Sequence, residues 1–154
     1  MDDMQLPTAE FLMRQSALIC SSYAHWTGRQ LLQGETGDVA NRLFEADFAV
    51  LSHDTRPEPV FNYANRVAMR LFGMNWGEIT RLPSRYSAEP MLQEERAGFL
   101  ERVAAHGYVD DYSGLRIAKD GTRFLIENAT VWNLLDEAGV LQGQAAMIPH
   151  WRPL

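Results

Sequence analysis

After Gly107 the chain passes through three extended segments, Tyr108 to Ala118, Thr122 to Leu135 and Val140 to Trp151, broken only by Lys119-Asp120-Gly121 and Asp136-Glu137-Ala138-Gly139. No other feature constrains the fold as much. Each break ends in a glycine, the residue that reaches the positive φ of a tight hairpin turn without steric cost. Breaks this short predict antiparallel neighbours, because parallel strands need a crossover of a dozen or more residues. A three-stranded meander follows, and the earlier part of the chain must supply what covers it.

From Thr8 to about Gln33 the residues Phe11, Leu12, Leu18, Ile19, Tyr23, Trp26 and Leu31 recur at helical spacings, with Thr8 as cap and Gly34 as stop. That stripe must pack on something, either the sheet of its own domain or a second copy or partner helix. Its length and the cost of exposing Trp26 predict a homodimer built on this helix. Asp47 to His53 reads as a short apolar strand, Thr55 to Pro59 as a turn and Val60 to Tyr63 as the hairpin partner. Asn65 opens a helix with Val67, Ala68, Leu71 and Phe72 on one face, ended by Gly73, and Asn75-Trp76-Gly77-Glu78 has capping-box spacing. Pro83 to Pro90 is polar and irregular. Met91 to His106 then carries Leu92, Phe99, Leu100, Val103 and Ala104 on one stripe and stops at Gly107. The expected fold is α+β, a five-stranded antiparallel sheet with helices gathered on one side. It comprises an amino-terminal helical extension over 1–43 and a core domain over 44–151.

A chain of 154 residues with 46% hydrophobic and 22% charged residues suits one domain, which at this size buries roughly 70% of its unfolded surface. No apolar run approaches a membrane span, and Met1-Asp2-Asp3 is acidic where a signal peptide is basic, so a cytoplasmic protein without membrane association is expected. A formal charge of -6 disfavours nucleic acid as a partner. The lone Cys20 and the scattered His25, His53, His106 and His150 lack metal-ligand spacing.

The element order is similar to that of a PAS domain, a sensor module whose sheet and helical flank enclose a pocket. Phe61-Asn62-Tyr63-Ala64-Asn65 with Ala68 and Leu71-Phe72 resembles the PAS passage from second strand to first core helix. More specifically, Leu82-Pro83-Ser84-Arg85-Tyr86-Ser87-Ala88-Glu89-Pro90, Gly107-Tyr108, Tyr112-Ser113-Gly114, Arg116-Ile117, Ala129-Thr130-Val131-Trp132-Asn133 and Gly143-Gln144-Ala145-Ala146 resemble the MEKHLA domain, a PAS-like family. The resemblance spans about Phe44 to Trp151. The string that names the family is absent, as are the homeodomain, zipper and lipid-binding domain of its plant members, so it implies neither DNA binding nor catalytic residues.

Some haem-binding PAS domains place an axial histidine where His106 stands, but a cation at a helix carboxyl end accounts for it, and no haem is expected. A covalent flavin photocycle needs a reactive cysteine, and none lies between Phe44 and Trp151. Metal is not expected either. Arg85 is read as pairing with an acid such as Glu89 or holding the loop, or else meeting an anionic ligand; Asp110-Asp111 is read as a solvated strand start. Strict alternation puts Phe124, Ile126, Asn128, Thr130 and Trp132 on one strand face. If that face turns toward the helices, a ligand site would use Asn128, Thr130 and Trp132, with Asn65 and Tyr86 at its rim, since small-molecule pockets combine an apolar wall with a few polar groups.

These residues are expected to serve a small-molecule-sensing or regulatory module acting through its own dimer or a signalling partner. The alternatives are an α+β cone-fold enzyme and a ligand-free interaction scaffold.

Overall fold

The computed structural model describes residues 7–34, 37–88 and 90–154. Its elements are α1 (Ala9–Thr27), α2 (Val39–Phe44), β1 (Ala49–His53), β2 (Phe61–Ala64), α3 (Arg66–Phe72), α4 (Trp76–Ile79), a 3-10 turn (Ser84–Ser87), α5 (Pro90–His106), β3 (Tyr108–Ile117), β4 (Arg123–Leu135), β5 (Leu141–Ile148) and β6 (His150–Pro153). Glu89 and the side chain of Leu92 lie outside the described residues. Local chemistry behaves as expected at several joints. Thr8 caps α1, Asn65 caps α3, and Asn75 with Glu78 forms a complete capping box on α4. Gly121 and Gly139 take φ of 89° and 78° in the two meander turns.

The antiparallel sheet has the order β2-β1-β5-β4-β3, with β6 also paired to β4. β6 is the sixth strand beside the five expected, and it continues β5 along the same side of β4. Thr130 faces Met147 and, three residues along each strand, Glu127 faces His150. Pro149, which has no N–H to donate, marks the break between them.

The sheet is covered on both faces, where helices on one side were expected. Beneath one face lie α3 and α5, with Ala68, Phe72, Phe99 and Val103 against Phe124, Ile126, Ala129 and Val131. Across the other lies α1, whose Ile19 and Tyr23 pack on Trp132 and Leu134. Hydrogen bonds tie α1 down along its length: Trp26 Nε1 donates to Asn133 O at 2.9 Å, Trp132 Nε1 to Ile19 O at 3.2 Å and Gln15 Nε2 to Ser52 Oγ at 3.0 Å, while the Ser22 hydroxyl accepts from Leu135 N at 2.9 Å. Gly107 lets this happen. It has φ of 99°, and a Cβ there would sit 2.4 Å from the Trp26 ring. The apolar stripe is therefore buried within its own chain and is not free to seat the second copy expected on α1. On the outward side of α1 the large apolar residue exposed is Met13.

Alternation along β4 is broken, which corrects the expected facing. Asp111 and Asn128 both hold left-handed backbone, with φ of 57° and 58°. Pairing with β3 slips between Val109 and Tyr112 and slips back between Tyr112 and Gly114, so each strand carries one extra residue. A bulge inserts an unpaired residue and reverses which face the following side chains point to. Phe124 and Ile126 thus face the helical flank, as do Ala129 and Val131, while Thr130 and Trp132 face α1.

Candidate functional site

Between the flank and the sheet lies a cavity of about 50 Å³, walled by Leu51, Phe72, Phe99, Ile126, Val131 and Ile148, with Tyr112, Arg116 and Gln144 among its polar members. Outside it, the loop of residues 54–59, α5 and the start of β5 form an open cleft of about 590 Å³. His53, Leu100 and Gln144 border both spaces. Gln144 Nε2 donates to Leu100 O and to Asn133 Oδ1, both at 3.1 Å, and Asn133 Nδ2 donates to Ala104 O at 3.2 Å. These two amides fasten one face of α5 to the central strands. At the floor of the cleft Ser84 is fully buried, and its hydroxyl has no protein partner among the described residues. Arg85, beside it, meets Glu58 at 3.4 Å.

The five residues expected at the site are not brought together. Asn128 is exposed at the bulge and donates to Asp111 Oδ1 at 3.1 Å. Thr130 is buried and donates to Asp110 Oδ1 at 2.7 Å, on the α1 side. That hydroxyl, then the guanidinium of Arg29, holds the Asp110 carboxyl below the usual carboxylate range. Trp132 is fully buried against Tyr23, with ring centroids 4.9 Å apart. Asn65 is fully buried and structural: its side chain accepts from Val50 N and Ala68 N and donates to Leu43 O and Phe48 O. Tyr86 is 48% exposed on the 3-10 turn and accepts from Arg85. What does reach the cavity from β4 is Ile126 and Val131, and from β3 Tyr112 and Arg116. The spacing Tyr112, Gly114, Arg116 carried that information, since alternate residues share a face and only glycine leaves space between two large side chains.

A model of the MEKHLA domain family matches residues 13–153. The chain belongs to the MEKHLA domain family. The match begins inside α1, so this MEKHLA domain includes most of the helix that covers the second face. Its fold is PAS-like. A PAS domain from Colwellia psychrerythraea superposes with TM-score 0.60 at 17% identity, over 75% of this chain and 92% of that one. The light-state dimer of the fungal blue-light photoreceptor Vivid gives 0.59 at 13%, over 84% and 90%, and a fungal LOV domain photoreceptor gives 0.58 at 18%, over 88% and 89%. No curated protein matches the sequence significantly.

A flavin does not fit this MEKHLA domain's cavity, because about 50 Å³ is far below the roughly 300–1,000 Å³ of sites for ligands that large. Cys20 is on α1, across the sheet, and burial pushes its thiol up to about 11, partly opposed by Arg42. It is a weak nucleophile there. His106 is exposed at the end of α5 and is not among the residues lining the cavity. Among the described residues no group of three or more His, Cys, Asp or Glu is placed to hold a metal, and no helix is long and apolar enough to cross a membrane.

Proposed function

We propose that this MEKHLA domain is a cytoplasmic sensing module, in which α1, within an amino-terminal extension of residues 1–43, covers a sensory body of residues 44–151. A small molecule enters by the cleft and seats between α5 and the sheet. The observation that carries this reading is the shared border: His53, Leu100 and Gln144 separate the open cleft from the apolar cavity. Gln144 also bonds the α5 backbone, so a ligand that moves it changes how α5 is held. A partner protein, or another copy docking elsewhere than on the α1 stripe, reads that change. Neither nucleic acid nor catalysis enters the scheme, and the PAS-like fold gives the cone-fold enzyme no support.

Native mass spectrometry of the protein purified from its own host tests the reading. A bound small molecule that is lost in Val131→Phe, which fills the cavity, supports it. Apo protein in both, together with no thermal shift across a metabolite panel, favours the interaction scaffold.

A further inference from the structure

Tyr112, Gly114 and Arg116 lie on the flank face of β3, and their fit is specific. A Cβ on Gly114 would lie 2.5 Å from Tyr112 Oη, so the missing side chain is what lets the phenol fold over the strand. The Tyr112 ring stacks on Phe99 with centroids 4.0 Å apart and planes at 22°. Its Oη accepts from Arg116 Nη2 at 3.3 Å, and Arg116 Nη1 donates to Leu115 O at 2.7 Å. Those bonds use two of the five N–H groups a guanidinium carries.

Arg116 is partly buried and lines the apolar cavity, yet it forms no ion pair among the described residues. Among the other arginines, Arg29, Arg56, Arg66, Arg85 and Arg152 form ion pairs at the surface. The chain carries 20 acids against 14 bases, so acids are not scarce. A cation withdrawn from water and facing apolar walls is costly unless an anion meets it, and a guanidinium matches a carboxylate in two parallel bonds.

We infer that the ligand of this cavity is a short-chain carboxylate, its head held by Arg116 and Tyr112 Oη and its apolar body against Ile126, Val131 and Ile148. This rests on the sensing reading above. A cavity of about 50 Å³ is small beside the roughly 300–1,000 Å³ of sites for drug-sized ligands, so it selects bodies of few carbons.

The test is methyl NMR of the full chain titrated with acetate, propionate and butyrate, with ethanol, propanol and butanol as neutral counterparts. Saturable shifts at Ile126, Val131 and Ile148 are expected, with at least one acid binding tenfold or more tighter than its alcohol. Arg116→Gln should weaken that acid about tenfold and leave the alcohol unchanged, while Arg66→Gln changes neither. If Arg116→Gln does not fold, Arg116→Lys serves, with a several-fold loss expected because a point charge replaces the planar fork. Equal binding of acid and alcohol, unaffected at Arg116, overturns the carboxylate inference and leaves the cavity standing. No shift from either class, with the cavity also silent to pressurised xenon, removes the sensing reading together with it.

Discussion

Asn128 holds φ of 58° in the middle of a long strand, a conformation that asparagine tolerates and β-branched residues do not. Asn128→Val should cost roughly 1–2 kcal/mol, the price of left-handed backbone for such a side chain, whereas Asn128→Gly should be neutral or slightly stabilising. Equal urea midpoints for the two variants would contradict this. Beside it, the Asp110 carboxyl is held low first by Thr130 and then by Arg29. A depressed carboxylate stabilises the fold above its unfolded value of about 3.9, and the contribution fades as pH falls through the folded value. Asp110→Asn should therefore lower the urea midpoint at pH 6 and approach the parent below pH 4. The side chain is 46% exposed, so solvent screening keeps the effect under about 1 kcal/mol. A gap that persists undiminished at pH 3 would exclude this linkage.

At the scale of the element, α1 is a sheet cover, and its two sides should respond differently to substitution. Ile19 is fully buried against the sheet and Met13 is 62% exposed. Ile19→Ala should cost about 2–5 kcal/mol, which for a chain of this size lowers Tm by roughly 10 °C. Met13→Ala should leave Tm within about 1 °C, as surface changes usually do. Deleting the chain through Gly34 uncovers Trp132 and Leu134, so aggregation is expected, not a folded monomer. Calorimetry and light scattering read both, and a well-folded, monodisperse truncation would show that the sheet face does not need its cover.

For the whole molecule, a sheet packed on both faces makes neighbouring positions on one strand opposite in kind. Ala145 is buried in the cluster beneath α1, while Ala146 packs with Phe99 and Val103 on the flank side. Ala145→Leu overpacks a filled core and should cost about 1–3 kcal/mol. Ala146→Leu enters open space and should hold or raise Tm while blocking the cavity to any ligand. Equal losses in both variants would mean that the cavity side is as tightly packed as the α1 side.

By itself, the sequence determined what depends on near neighbours. Glu78 sits three residues after Asn75, so the capping box was legible; Gly121 and Gly139 end their turns, so the meander was too. Asn65 was legible as a cap, but its bonds to Val50, Leu43 and Phe48 come from residues distant in the chain, which is why it could be mistaken for part of a pocket rim. The site itself turned on parity. Strict alternation put Asn128, Thr130 and Trp132 on the face of Phe124 and Ile126, and nothing within β4 signals otherwise. The reversal arises from paired extra residues at Asp110-Asp111 and at Asn128, with Pro149 alongside on the next strand. Only the tertiary structure decided this, because the face a strand residue points to after a bulge is set by its pairing with the neighbouring strands, and one extra residue turns every later side chain over.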